Sequence, residues 1–477
     1  MRMNRRTKIV ATLGPATDSP RVLKKILSSG VDVVRLNYSH GTADDQARRA
    51  DAVRKMAAEL GLDVGVLADL QGPKIRIESF KEGPIELAEG QVFSLDTAWP
   101  KDAGTAEVVG CAYGDLPRDV VQGDTLLLND GAITMKVDKV EGTRITSTVL
   151  IGGTLSNRKG INRLGGGLSA GALTFKDRID IREAVALEAD FIAVSFPRSA
   201  TDMLEARQLV KDAGGHASLV AKIERAEALK ALDEIIGASD AVMVARGDLG
   251  VEIGDAELPG WQKKIISQSR EMNRMVITAT QMMESMIVNP IPTRAEVLDV
   301  ANAVMDGTDA VMLSAETATG KWPGKVVETM ARVCEGAERA TPPERSRTRF
   351  EAHFERTDEA VAMATSWTAF NMHAEAIIAL TESGSTPLLM SRTDTRIPIY
   401  ALTRHERTRR RMALCRAVYP LDFNPSSLVS PAAETEAVNF LVKAKVLKKG
   451  DRVLMTKGDF TGPGGTNTMK IVKAGEE

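Results

Sequence analysis

The sequence predicts an α/β protein: a (β/α)8 barrel interrupted by an inserted antiparallel β-barrel lid and followed by a smaller C-terminal α/β unit. Three observations predict it. Eight short β-branched runs alternate with stretches of helical spacing; about a hundred residues between the third and fourth runs switch to strand-type alternation; and a second strand–helix alternation begins near residue 345. A chain of 477 residues is long enough for several domains.

The eight runs are "TKIVATLG", "VDVVRLNYSH", "DVGVLADL", "FIAVSF", "SLVAKIE", "AVMVARGDL", "MVITATQMM" and "AVMLSAET". Near-continuous apolar runs suit strands buried on both faces of a parallel sheet. Segments such as "DDQARRADAVRKMAAELG" and "TDMLEARQLVKDAG" supply the helices between them. Eight such units make a closed barrel of the triosephosphate isomerase (TIM) type, in which functional groups gather at the carboxyl ends of the strands. Here those ends carry Arg35, Asn37, Ser39, Asp69, Ser195, Lys222, Glu224, Arg246, Asp248, Thr280, Ser314 and Glu316.

The barrel is assigned to residues 1–70 and 169–344, the insert to 71–168 and the C-terminal unit to 345–477. Within the insert, "QVFSLD", "DTLLLND", "AITMKVDKV" and "TRITSTVLI" are punctuated by Gly and Asn-Asp-Gly turns. An insert at this point of a barrel covers its mouth, and the glycines of "NRLGGGLSAG" provide hinges at its exit. After the polar "TPPERSRTR", strands "AIIALT", "IPIYALT", "AVYPLDF" and "DRVLMTKGD" build an open α/β sheet. Its "TESGSTP" loop offers Thr381, Ser383, Ser385 and Thr386 hydroxyls, with the Glu382 and Gly384 backbone, to a phosphate. The Arg-rich "RHERTRRRMALCR" is expected to support that loop, line a subunit contact or form a solvated helix face.

Acidic and basic residues nearly cancel, 64 against 62, so no general field favours nucleic acid or an anionic membrane. The absence of any long apolar stretch also argues against a membrane partner. Cys111, Cys334 and Cys415 lack metal-type spacing and fit a reduced, cytoplasmic protein, in which they serve as packing residues.

In "VAKIERAE", Lys222 and Glu224 are two apart and emerge on one face of a strand end. "VARGDLGVE" adds Asp248, with Gly247 and Gly250 permitting close backbone approach. Two carboxylates from adjacent strands suit one hard divalent cation, Mg2+ or Mn2+. Such a cation beside an ammonium focuses positive potential on a phosphorylated anion, which is what phosphoryl transfer requires. No GxxxxGK[ST] loop is present.

These residues, with "TKIVATLGPAT", "DLQGPKIR", "MVARGDLGVE", "TATQMMESM" and "NPIPTRAEVLDVANAV", resemble the pyruvate kinase family along essentially the whole chain. The resemblance implies transfer of a phosphoryl group from phosphoenolpyruvate to ADP, giving pyruvate and ATP. It implies that Arg35 contacts the substrate phosphate, that His40 and Arg76 lie near the transferred group and nucleotide, and that Lys176 supports the nucleotide at the lid boundary. Glu224 and Asp248 would hold the divalent ion, Lys222 would stabilise the phosphoryl group in flight, and Thr280 would order the proton-delivering water. Backbone N–H groups around Ala245, Arg246, Gly247 and Asp248 would receive the substrate carboxylate. It further implies a homotetramer and a phosphorylated allosteric effector bound at residues 381–386. A barrel lyase or aldolase acting on 2-oxo acids is the competing enzyme reading, and a metabolite-binding sensor the non-enzymatic one.

One stretch departs from the family pattern. Potassium-dependent members hold K+ with Asn, Ser, Asp and Thr oxygens. Asn37, Ser39 and Asp69 remain here, but the Thr position is Leu70, a neighbouring Lys is Gln71, and the usual Glu is Lys74. Lys74 is expected to satisfy Asp69 with a fixed ammonium and to remove the K+ requirement. A sugar monophosphate or AMP is the expected effector, because Glu382 would repel a bisphosphate.

Overall fold

A computed structural model describes residues 5–341, 353–393, 396–425, 431–458 and 464–475. The "PPERSRTR" part of the expected linker, and with it the start of the C-terminal unit at 345, lies outside the described residues.

Eight parallel strands close a barrel: Lys8–Thr12, Val33–Asn37, Gly65–Asp69, Phe191–Val194, Ser218–Ile223, Ala241–Ala245, Met275–Ala279 and Ala310–Leu313. They follow one another around the ring in sequence order, and the last pairs with the first, Lys8 opposite Ala310. Sequential order follows from right-handed strand–helix–strand crossovers. The apolar runs are apolar for a physical reason: every residue of Lys8–Thr12, Gly65–Asp69, Ala241–Ala245 and Met275–Ala279 is buried. The intervening helices carry local start and stop signals. Thr42 caps Ala43–Leu60 by accepting from the Asp45 N–H at 3.2 Å, Asp45 returns the bond to the Thr42 N–H, and Gly61 ends the helix in the left-handed region.

By contact density the chain forms two compact units, Met1–Ala68 with Leu187–Phe191 and Ile266–Glu477, and Asp69–Ala186 with Ile192–Ile265. The second contains the insert, a sheet ordered Ile161–Arg163, Thr125–Leu128, Ile133–Glu141, Arg144–Ile151, Val92–Asp96, Val108–Gly110. Four of its five pairings are antiparallel, as the short turns require; Val92–Asp96 with Val108–Gly110 is parallel, because residues 97–107 form a crossover rather than a hairpin turn. Residues 75–78 bridge the two ends. The Ile77 N–H donates to Lys159 O at 2.9 Å and the Glu78 N–H to Gly110 O at 2.8 Å, so a small barrel closes around Ile77, Phe93, Leu95, Leu126 and Met135.

The first unit includes the C-terminal sheet, ordered Val418–Asp422, Ile399–Thr403, Ala376–Leu380, Arg452–Gly458, Thr466–Lys473. Its first four strands are parallel, and the last is an antiparallel edge strand that the sequence reading did not anticipate. The Arg-rich stretch differs from expectation. Arg409 pairs with Asp63 at 3.0 Å and Asp422 at 2.8 Å, Arg410 pairs with Asp190 at 2.8 Å, and the Arg416 N–H donates to Asp309 at 2.9 Å. Arg409 and Arg410 are buried because fixed carboxylates neutralise them, Asp63 and Asp190 just ahead of barrel strands among them, while the buried Arg416 guanidinium donates to Thr308 O at 3.2 Å; all three tie the C-terminal sheet to the barrel segments of the same unit. Other members of the stretch do serve the effector loop, as expected: Arg411 donates to Ser383 O, Thr408 Oγ1 donates to Glu382 O at 2.8 Å and Arg404 lies 3.6 Å from Glu382. Arg392 and Asp309 form a fully buried pair in the same seam. All three cysteines are free and buried, and burial pushes the Cys111 thiol up to about 11. No described helix is long and apolar enough to cross a membrane.

Candidate active site

Within the unit that carries the insert, the expected charges converge. Lys222, on strand Ser218–Ile223, places its Nζ 2.9 Å from Glu224 Oε1, 3.3 Å from Asp69 Oδ1 and 2.7 Å from Ser195 Oγ. Ser195 donates in turn to Leu70 O at 2.7 Å. Glu224 Oε2 accepts from the Phe196 N–H at 2.9 Å, and Phe196 adopts φ 57° to present it. A left-handed aromatic residue is uncommon and marks a segment held in place by its surroundings.

Lys74 corrects the expectation attached to it. Its Nζ lies 3.0 Å from Asp248 Oδ1 and 3.7 Å from Asp130 Oδ1, while Asp69 is taken by Lys222. The cause is the Gly-Pro turn. Gly72 is left-handed at φ 66°, its N–H is held by Asp177 Oδ1 at 2.9 Å, and the chain passes beyond the end of the strand before Lys74 begins. Burial works against the Lys74 ammonium, but Asp248 and Asp130 overcome it and raise its pKa.

Burial pushes the Glu224 carboxyl up, and Asp248 and Asp69 add to the rise against the opposing pull of Lys222. Two ammoniums, Lys222 and Lys74, thus face four carboxylates, Asp69, Glu224, Asp248 and the more exposed Asp130, leaving negative charge in excess. A divalent cation would offset that excess and the repulsion it causes. Its fit is therefore electrostatic as well as chemical, with two carboxylates that leave coordination positions for water and substrate oxygens. Asp248 lies in the first turn of helix Arg246–Ile253, where backbone N–H groups have no intrahelical acceptor and point at an incoming anion. Ala245 precedes that helix, Gly247 lies within it, and Arg246 Nη1 donates to Gln262 at 3.4 Å.

Arg76 donates from Nη1 to Arg158 O at 2.9 Å, within the closing strand segment of the insert. Lys176 pairs with Asp180 at 2.5 Å on helix Phe175–Ala186 and is half exposed.

In the other unit, Arg35 lies in the middle of strand Val33–Asn37 and donates to Thr12 Oγ1 at 3.1 Å. Asn37 Oδ1 accepts from the Ser39 N–H at 3.1 Å, and His40 is exposed. Thr280 and Gln281 follow strand Met275–Ala279 at φ 69° and 52°. A β-branched residue there is strained by about 1–3 kcal/mol. Glu316 is buried and anchors two strand ends, accepting from the Ser314 N–H at 2.6 Å and the Met283 N–H at 3.2 Å.

At the loop after Ala376–Leu380, Gly384 is left-handed and its N–H donates to Thr381 Oγ1 at 2.9 Å. Glu382 contacts His405 and lies 3.6 Å from Arg404. Thr386 is buried against Thr466 at 2.6 Å, Ser383 remains on the loop, and Ser385 opens the short helix Ser385–Ser391.

Sequence reasoning missed Asp130, Asp177 and Phe196. Their roles depend on a turn tip, a backbone hydrogen bond and a left-handed φ, none of which has a periodic signature.

Residues 4–327 match the model for the pyruvate kinase barrel domain and 359–472 that for the pyruvate kinase alpha/beta domain. The chain is 54% identical over 473 residues to pyruvate kinase II of Salmonella typhimurium, covering 98% of each protein. It is 53% identical over 468 residues to a pyruvate kinase of Haemophilus influenzae, with 97% of each covered. Its fold matches the crystal structure of a pyruvate kinase from Cryptosporidium parvum with a TM-score of 0.91 at 33% identity, over 99% of this chain and 96% of that one. A closed barrel that brings Lys222, Glu224 and Asp69 together, two family models and near full-length similarity lead to one assignment: the chain belongs to the pyruvate kinase family.

Proposed function

We propose that the chain transfers the phosphoryl group of phosphoenolpyruvate to ADP with Lys222 as the cation that steadies the moving charge, and that it does so without potassium. The observation that carries this is the Lys222–Glu224–Asp69 cluster beside the Lys74–Asp248 pair. Bound Mg2+ or Mn2+, held by Glu224 and Asp248, supplies Lewis-acid polarisation of oxygen. Arg35 binds the substrate phosphate, and the N–H groups of residues 245–248 receive the carboxylate. Lys222 follows charge as it spreads over the departing phosphoryl oxygens and the enolate. His40, Arg76 and Lys176 orient the nucleotide, and Thr280 holds the water that returns a proton to the enolate carbon. Residues 71–168 act as a lid that excludes water from the reacting groups. A coupled assay with phosphoenolpyruvate, ADP and Mg2+ tests the whole reading, and absence of pyruvate formation would end it.

Potassium independence is supported by Leu70, which is buried and brings no oxygen, and by Lys74, whose ammonium already serves the carboxylate cluster. Lys74→Glu should impose a requirement: activity in tetramethylammonium buffer drops at least about tenfold and returns with KCl. A wild-type enzyme that needs KCl refutes the proposal.

The effector is a phosphorylated small molecule at residues 381–386, best suited by a sugar monophosphate or AMP. Support comes from the hydroxyls of Thr381, Ser383 and Ser385, the Gly384 turn and the guanidinium of Arg411 beside Ser383. Ribose 5-phosphate or AMP should lower the half-saturating phosphoenolpyruvate concentration by about fivefold or more; activation by fructose 1,6-bisphosphate alone would defeat this. The assembly is a homotetramer, which light scattering at the mass of a single 51.4 kDa chain would exclude.

A further inference from the structure

The two carboxylates assigned to the metal sit on different elements, Glu224 at a strand end and Asp248 in the first turn of helix Arg246–Ile253. Their spacing depends on whatever fixes that strand end against that helix. Glu252 lies four residues beyond Asp248 and therefore on the same helix face, one turn along. Its Oε2 accepts from the Ala226 N–H at 2.9 Å, two residues past Glu224. One side chain thus crosses from the helix of one carboxylate to the turn that follows the other.

The same residue also grips the insert. Glu252 Oε1 accepts from Asn162 Nδ2 at 3.3 Å, and the Glu252 backbone carbonyl accepts from the Gly165 N–H at 2.8 Å. Asn162 lies in the last strand of the insert, and Gly165 begins its path back to the barrel. A small cavity of about 10 Å3 is lined by Glu252 together with Lys74, Asp248, Asn162 and Arg225, so the residue borders the charge cluster itself. Glu252 is only 3% exposed, and burial pushes its carboxyl up to about 7, with Glu227 adding to the rise. A fold that needed only packing here would be better served by an apolar side chain.

We infer that Glu252 is a positioning residue that sets the distance between Glu224 and Asp248 and couples that distance to the base of the insert. The inference rests on the assignment of those two carboxylates to the metal. Residues that orient metal ligands from behind typically change metal affinity by 10–100-fold when replaced. Glu252 acts in that way through the backbone, on the strand end rather than on a ligand atom.

The test compares full-length wild type, Glu252→Leu, Glu252→Gln and Asn162→Ala. Direct Mn2+ titration by electron paramagnetic resonance without substrates reads the metal site, and hydrogen exchange of residues 161–167 and 224–227 reads the two tethers. Glu252→Leu should weaken Mn2+ about tenfold or more and raise exchange in both segments. Glu252→Gln, whose amide oxygen still accepts from the Ala226 N–H and whose amide N–H2 can donate to the Oδ1 of a flipped Asn162, should stay within about threefold of wild type. Asn162→Ala should raise exchange at 161–167 alone. A folded Glu252→Leu that binds Mn2+ within twofold of wild type overturns the inference. Should that variant not fold, unchanged exchange at 161–167 in Asn162→Ala, or a Gln variant as impaired in Mn2+ binding as Glu224→Gln, overturns it instead. The metal assignment fails separately, if Glu224→Gln keeps wild-type Mn2+ affinity; the exchange data at 224–227 then still decide whether Glu252 holds that turn.

Discussion

Lys222→Met lowers kcat by about 10²–10³-fold, while Mn2+ binding is undiminished. The ammonium makes three contacts, to Glu224, Asp69 and Ser195, and its removal takes positive charge away from the place where negative charge develops. Methionine preserves most of the stem volume, and loss of a cation next to Glu224 makes that carboxylate a stronger, not a weaker, ligand. The two readouts therefore move differently, which a general collapse of the site would not produce. A coupled assay and a Mn2+ titration on the same preparation check the prediction. Retention of more than a tenth of wild-type kcat would show that Lys222 has only a structural part.

Arg392→Leu destabilises the fold by about 3–5 kcal/mol, the usual consequence of leaving a buried charge without its partner. Both side chains are fully buried. Burial alone would push the Asp309 carboxyl up, but Arg392, aided by Arg270 and the Arg416 N–H, holds it below the ordinary range. A depressed carboxylate contributes stability above its unfolded pKa and loses it as pH falls through the folded value. Without Arg392 the carboxyl rises instead and the cost falls on neutral pH. The deficit should therefore be largest near pH 7 and shrink toward pH 4, which urea midpoints measured across that range will show. Arg392→Leu combined with Asp309→Leu should lose less than Arg392→Leu alone. An equal loss at both pH values would mean that packing rather than charge holds the seam.

Barrel and insert were legible because each has a period. Uninterrupted apolar runs such as 241–245 are strands buried on both faces, and alternation such as 133–141 is a sheet with one face on a core. The pairing of Lys222 with Glu224 was legible too, because two residues apart on a strand share a face. The partner of Lys74 was not, since it depends on a left-handed turn at Gly72 and on a helix residue 174 positions further along. The barrel partners of Arg409 and Arg410 were not legible either, and the stretch read as loop support, a subunit contact or a solvated helix face, because nothing local marks a carboxylate that arrives from a distant segment. The contacts of Glu382 with His405 and Arg404 were not legible for the same reason, as both come from a neighbouring loop.

That seam of arginines bears on how far the molecule is modular. Asp190 and Asp309 keep almost no contact with solvent, and Asp63 keeps a quarter; each is neutralised from beyond residue 390. A polypeptide ended at residue 344 would take those guanidiniums from Asp63 and Asp309 and leave Asp190 with Arg54 as its guanidinium partner. The barrel dissected from its tail should therefore be markedly less soluble, and replacing Asp63 and Asp309 as well should recover part of the loss.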